Sequence, residues 1–414
     1  MKNKLSLLSF SVFLQTQLYM VPFLLLFYQH CGLSVGDFFL FQGVFSLSAL
    51  FFDVPMGYLA DIFPKRNILI LSYIFYIFRL ILWLFFSQYG YWVLLFAEIM
   101  FAAHKASFAG VVDSYMYEYL HLNNIPQKMK DCYGKMNFFL SVGTAFSSLI
   151  GAGIYTSISD YTLSTYNYNY GFIALICLEL VLQLIATGLL LKLPIIPAVN
   201  KTKIRLKELY KKLFLNVVWT LQNRNIKYHI LYSGLLDAIT LVFVWSFQPI
   251  MKLLLLQISL YGVVYFINHL FRALASLYSD KINHIISLSK MALLVFVLFV
   301  VCFILTFFIL NFSSIPVWCR LGYFTFISIT IGIQLAFRLL HTCRLHNFIS
   351  SDIRATSSSV STVVGRLYTG FFFILMKICL DGVSLQTSLA TCFVIFIMIA
   401  FLLRKVCLVS LKDE

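Results

Sequence analysis

The chain has 414 residues, 61% of them hydrophobic and only 11% charged, with a formal net charge of +15 and a mean hydropathy of +0.90. A soluble domain averages about 45–50% apolar and roughly 25% charged residues, which excludes a water-soluble core and makes orientation in a membrane, not nucleic-acid binding, the reading of the positive charge. The solvent is lipid, and at about 20 apolar residues per crossing the length accommodates roughly a dozen spans.

Twelve spans are expected, at about 5–29, 37–60, 67–87, 91–120, 132–157 and 170–193, then 227–251, 258–280, 285–310, 315–343, 352–378 and 383–405. The first follows Lys2 and Lys4 and runs to Tyr28. That is too long for the apolar part of a signal peptide, and no small-residue cleavage site follows it. The one long polar stretch, 194–226, separates a six-helix bundle over 1–193 from a second over 227–414 that ends in a short tail. Its Lys201, Lys203, Arg205, Lys207, Lys211 and Lys212 interleave with Ile204, Leu206, Leu209 and Leu213. Both an amphipathic helix lying on an anionic inner leaflet and a solvated basic linker fit that pattern.

With both termini on one side, that side collects 23 Lys/Arg and the other only Lys252, Arg320 and Lys377. Arg79, Lys105, Lys135, Arg272 and Arg366 fall within spans. The positive-inside rule makes the richer side the cytoplasm, so a multi-pass protein of a bacterial inner membrane is expected, with both ends inside. The nine cysteines stand singly and show no metal-ligand spacing, so neither disulfides nor a metal site is expected.

Between spans two and three stands Gly57-Tyr58-Leu59-Ala60-Asp61-Ile62-Phe63-Pro64-Lys65-Arg66. It resembles the loop of the major facilitator superfamily, G-x-L-A-D-x-x-G-R-K. Six of seven defined positions match in type, with Lys65 and Arg66 reversed and Pro64 replacing the glycine. Glycine at position 57 allows close helix approach, and Asp61 suits the positive N-terminus of another helix. The resemblance implies that this helix is the eleventh, whose start carries Arg354, and that the contact holds an outward-open state. A weaker copy, Ser276 to Lys281 with Asp280, follows span eight as the first follows span two. Its position fits two six-helix halves related as parallel repeats. The fold class implied is an all-α membrane protein of twelve helices in two pseudo-symmetric halves.

Span five carries Gly134, Gly143, Ser147, Ser148, Gly151 and Ala152. This resembles the family's antiporter pattern, G-x8-G-x3-G-P-x2-G-G, with small residues at three of its six positions. An ordinary small-residue packing face reads the same way. The segment Gly110 to Leu120 and the run Arg354-Ala355-Thr356 are also similar to a bacterial efflux branch of the family.

Ionisable groups at mid-bilayer are costly unless paired or wetted, so each is a functional candidate. The resemblance puts spans one, four, seven and ten around a cavity. On span four, Glu98 and Lys105 are seven residues apart and share a face, with Asp113 deeper toward the cytoplasm. Many drug exporters of the family have a proton-relay arginine where this chain has Glu98. Span seven offers Asp237 with Thr240 and Gln248 on its stripe, and span ten offers Gln334, Arg338 and His341. Asp237, Asp113 and Glu98 are therefore proton-site candidates, with Lys105, Arg338, His341, Gln334, Thr240 and Gln248 lining the cavity. Fixed structural ion pairs are the alternative. Arg79 on span three and Glu179 on span six lie at matching depths and are expected to pair, with Glu98 as a competing partner for Arg79.

The expected function is secondary transport by alternating access: proton-driven export of a small amphipathic compound such as a drug, antibiotic, siderophore or short modified peptide. Uptake of a metabolite by proton symport is the alternative. The chain has no HxxxxD, HExxH or GxxxxGK[ST], which argues against an enzyme or an ATP-driven pump; a channel is a further alternative. Substrate, protons and the lipid bilayer are the expected partners. No nucleic acid and no cofactor are expected, and the protein is expected to act as a monomer.

Overall fold

In lipid every backbone N–H and C=O needs a partner from the chain itself, and a helix supplies it locally. Among the described residues, the computed structural model of the chain is accordingly built from thirteen α-helices and two short 3-10 turns. It describes residues 2–123, 129–166, 170–196, 224–312, 315–348 and 351–410, with isolated positions between 208 and 222. No strand occurs among the described residues. Most of the 194–226 linker falls outside them, and of Gly134, Asp280 and Arg354 only the helical backbone is described.

The helices are α1 (Lys2–Gln15), α2 (Leu24–His30), α3 (Val35–Ile62), α4 (Lys65–Phe86), α5 (Tyr91–Leu122), α6 (Met129–Tyr166) and α7 (Gly171–Leu191). They continue as α8 (Arg224–Leu253), α9 (Ser259–Ile285), α10 (Leu288–Asn311), α11 (Val317–Phe348), α12 (Ser351–Leu380) and α13 (Leu385–Ser410). Eleven of them, α3 to α13, are long and apolar enough to cross a membrane. They correspond to expected spans two to twelve. The protein is an all-helical, multi-pass membrane protein.

The first span is the exception. A continuous helix over 5–29 was expected, but α1 stops at Gln15, a 3-10 turn covers Val21–Phe23, and α2 resumes at Leu24. Pro22 lacks an amide hydrogen and crowds the preceding turn. A proline alone would kink the helix. An interruption this wide also needs outside partners for the released backbone groups, and α7 provides them, as described below.

The turn between α3 and α4 contains only Phe63 and Pro64, and Pro64 sits at φ −55° just before the first residue of α4. That position needs no amide donor and suits proline's fixed φ, so the departure from glycine in the loop costs nothing here.

The helices gather into two compact units. One comprises residues 1–34, 44–206 and 257–266, the other 35–43, 207–256 and 267–414. The first unit's core joins Leu8 and Val12 of α1 to Leu69 and Tyr73 of α4, Val112 and Tyr115 of α5, and Ala186 and Leu190 of α7. In the second, α8 is the most buried of the crossing helices and α10 the least. The outward stripe of α10, including Ile304, Phe307 and Phe308, is what a lipid-facing helix presents.

Candidate functional site

Within the first unit, buried polar side chains line up along the interrupted span. Breaking the helix frees the carbonyl of Gln15 and the amide of Met20. Two side chains one turn apart on α7 take them: Gln183 Nε2 donates to Gln15 O at 3.0 Å, and Glu179 Oε1 accepts from Met20 N at 2.8 Å. Thr144 of α6 donates to Thr16 O at 3.3 Å. Further along α1, Ser11 donates to Ala186 O at 2.9 Å.

The acid expected to pair with Arg79 is thus committed elsewhere. The second oxygen of Glu179 accepts from Tyr76 OH at 2.8 Å. Arg79 pairs instead with Glu98, Nη2 to Oε1 at 2.7 Å, and Tyr28 OH donates to the same oxygen at 2.5 Å. The guanidinium is also clamped between Trp83 and Phe101, 3.9 and 3.8 Å from the two ring centroids. The expected Arg79–Glu179 pair is replaced by Arg79–Glu98, because the break in the first span hands Glu179 a backbone amide. Glu98 is therefore held in a buried pair, with Arg79 and Tyr28 both bonded to one of its oxygens.

The two other span-four candidates take no part in that ion pair. Lys105 lies 5.1 Å from the centroid of the Phe101 ring, and neither it nor Asp113 forms an ion pair among the described residues. His104, next to Lys105 in sequence and fully buried, bonds Ser72 O through Nδ1 at 2.8 Å and Gln15 Nε2 through Nε2 at 2.7 Å.

In the second unit the structure brings three expected cavity residues together. Asp237 of α8 accepts from Gln334 Nε2 of α11 at 2.7 Å and faces Arg338 Nε at 3.4 Å. Arg272 of α9 lies within electrostatic reach of both charges. His341, one turn from Arg338, meets His229 of α8 at 3.2 Å between Nδ1 and Nε2. Since α8 and α11 run antiparallel, these contacts form two rungs between the same helices. Thr240 bonds its own helix at Leu236 O, and Gln248 is buried; neither joins the Asp237 group in a described contact.

Of the loop residues, Asp61 is exposed at the end of α3, and Lys65 pairs with Glu118 of α5. Arg66 donates to Leu193 O at 3.0 Å, beyond α7. A Cβ at Gly57 would meet nothing within 4 Å, so the close approach expected at this glycine is not made among the described residues. Two glycines of α6 do make close approaches. A Cβ at Gly143 would fall 2.6 Å from the Phe13 ring, and one at Gly151 would fall 2.8 Å from Tyr19 O. Gly262 of α9 packs so closely on α6 that its Cβ would reach 2.3 Å from Ser148 O.

Residues 5–373 match the family model described as Major Facilitator Superfamily. The chain belongs to the Major Facilitator Superfamily. It is a transporter rather than an enzyme. Among solved structures, the fold is similar to that of a nucleoside transporter, NupG, at 13% identity and a TM-score of 0.74, covering 100% of both chains. It is also similar to a bacterial homolog of the human lysosomal transporter Spinster, at 13% identity and a TM-score of 0.69, over 99% of this chain and 97% of that one. A POT family transporter in complex with a thioalcohol-conjugated peptide gives 13% identity and a TM-score of 0.69, over 96% and 94% of the two chains. At that identity the likeness shows the fold alone. No curated protein matches the chain.

Sequence reasoning on this major facilitator chain missed His229, although His229, Ser233 and Asp237 recur every four residues and so share a helix face. It also missed Gln15, Gln183 and Tyr28, neutral residues that a search for intramembrane charge passes over.

Proposed function

We propose that the protein exports a small amphipathic compound in exchange for protons, with Asp237 as the proton site and Arg338 as the cation that holds its charge. The observation that carries this reading is the Asp237–Gln334–Arg338 group. An intramembrane carboxylate is bonded there to a neutral amide and faces, at 3.4 Å, a cation whose own side chain is largely exposed. A pairing so loose can be exchanged for a proton at small cost, whereas a tight, dry pair cannot. The small residues of α6 support antiport over symport: Gly143, Ser148 and Gly151 lie in close helix contacts, at positions that resemble the family's antiporter pattern. Lys105 and Asp113, without ion-pair partners among the described residues, are candidates for substrate contact.

The test is transport by the purified full chain in proteoliposomes. Candidate compounds come from a panel against which a deletion strain is hypersensitive. A gradient that is acidic on the side corresponding to the cell exterior is expected to drive the compound toward that side. Movement with the protons, in the same direction, assigns symport and overturns export.

A further inference from the structure

Two buried amides stand at the interruption of the first span. Gln15 and Gln183 are fully buried, and the side-chain oxygen of each lacks a hydrogen-bond partner among the described residues. Neither amide is free to turn over. His104 uses Nδ1–H on Ser72 O, so in the neutral ring Nε2 is an acceptor and must face the NH2 of Gln15. Arg79 and Lys105 both lie within electrostatic reach of His104. Likewise Gln183 must direct its NH2 at the Gln15 carbonyl. The two orphan oxygens are thus fixed by their neighbours' chemistry.

Beside them, one turn along α7, Glu179 is 1% exposed and forms no salt bridge among the described residues. The one arginine within reach, Arg79, is bonded to Glu98. The C-terminal end of α1, at Gln15, adds the negative end of its helix dipole. Discontinuous helices whose unwound ends gather oxygen ligands are a general way for transporters to hold monovalent cations.

We propose that the interruption binds a small monovalent cation, Na+, through Glu179 and the side-chain oxygens of Gln15 and Gln183. All the ligands are hard oxygen donors, and one carboxylate balances one positive charge, which disfavours a divalent ion. A proton on Glu179 would neutralise the carboxylate but would leave both amide oxygens unmet. The bound ion would tie α7 to the break in the first span and make its geometry depend on Na+. This site does not depend on Asp237 being the proton site.

Purified full-length protein tests this by scintillation-proximity binding of radioactive sodium and by thermal unfolding in NaCl against choline chloride at equal ionic strength. The wild type is expected to bind sodium saturably and to unfold several degrees higher in NaCl. Glu179→Gln, isosteric but uncharged, is expected to lose both signals, and Gln183→Leu to weaken binding several-fold. If Glu179→Gln does not fold, Gln15→Leu takes its place. Asp237→Asn is expected to keep sodium binding, which separates this site from the proton site. No saturable sodium binding to the wild type, or unchanged affinity in the variants, overturns the proposal.

Discussion

Arg79 and Glu98 in the first unit, and Arg338 and Asp237 in the second, are intramembrane ion pairs that each join two helices. The first pair is 2.7 Å long, with side chains only 5% and 1% exposed. A tyrosine hydroxyl sits on the carboxylate, and aromatic rings cover both faces of the guanidinium. The second is 3.4 Å long, with Arg338 56% exposed and Asp237 21%. A dry, tight pair is costly to open and suits a fixed strut. A loose pair with one wet partner can open during a cycle at little cost. Sequence shows an acid and a cation in both places; geometry separates a tight pair from a loose one.

The largest expected effect follows from the strut. Arg79→Met leaves Glu98 buried and uncompensated, with an expected loss on the order of 3–5 kcal/mol, read as loss of monodisperse protein on size-exclusion chromatography. Adding Glu98→Gln is expected to recover most of that loss. A single variant as stable as the wild type would erase the contrast between the two pairs. Next comes Asp237→Asn, which is expected to keep the fold and the hydrogen bond to Gln334 while abolishing gradient-driven transport. Downhill exchange in the absence of a gradient is expected to persist. If Asp237→Asn unfolds instead, and Arg338→Gln restores it, the second pair is a strut as well.

The spans were legible because lipid imposes one rule on every crossing segment: length and apolarity together. The interruption of the first span was not, because hydropathy does not register it and only Pro22 hints at it. What stabilises the break is Glu179 and Gln183, more than 150 residues away in sequence. That single omission caused the other error. With the first span read as continuous, Met20 had no free amide, Glu179 had no reason to leave Arg79, and matching depth made them partners. The Asp237 group was more legible, since Asp237, Gln334 and Arg338 are polar residues on two stripes of adjacent helices. His229 lay on the same stripe, a signal the search for charge overlooked.

A smaller effect is expected from glycines that hold α6 against its neighbours. Gly151→Ala places a methyl group 2.8 Å from the backbone oxygen of Tyr19, at the interruption itself, and Gly262→Ala places one 2.3 Å from Ser148 O. Backbone atoms cannot swing aside, so each is expected to cost about 1–3 kcal/mol, measured as a lower thermal midpoint. Gly143→Ala is expected to cost less, because the Phe13 ring and Gln17 amide it meets are side chains. Gly153, with nothing within 4 Å of its added Cβ, is the control. Alanine there improves helix propensity, so Gly153→Ala is expected to be neutral or slightly stabilising. An equal loss at Gly153 and Gly151 would mean that α6 responds to helix propensity and not to close approach.

The smallest effect is expected at Asp61. It is exposed at the end of α3, and its charged neighbours Lys65 and Glu118 are already bonded to each other. Removing its charge therefore breaks no described ion pair, and Asp61→Asn is expected to shift the thermal midpoint hardly at all. Its role, if the loop works as its resemblance implies, is in a state of the cycle where the carboxylate meets the positive end of another helix. A helix-end interaction is worth about 0.3–1 kcal/mol at an exposed site, and such a change in the balance of two states alters a rate several-fold at most. Asp61→Asn in proteoliposomes is therefore expected to slow transport severalfold with the gradient response intact, the reverse of the pattern expected for Asp237→Asn. Lys65→Gln sharpens the point: it strands Glu118, so it is expected to cost stability where Asp61→Asn does not. If Asp61→Asn abolishes the gradient response while Asp237→Asn retains it, the proton is carried on the first unit, and the two regions exchange their roles.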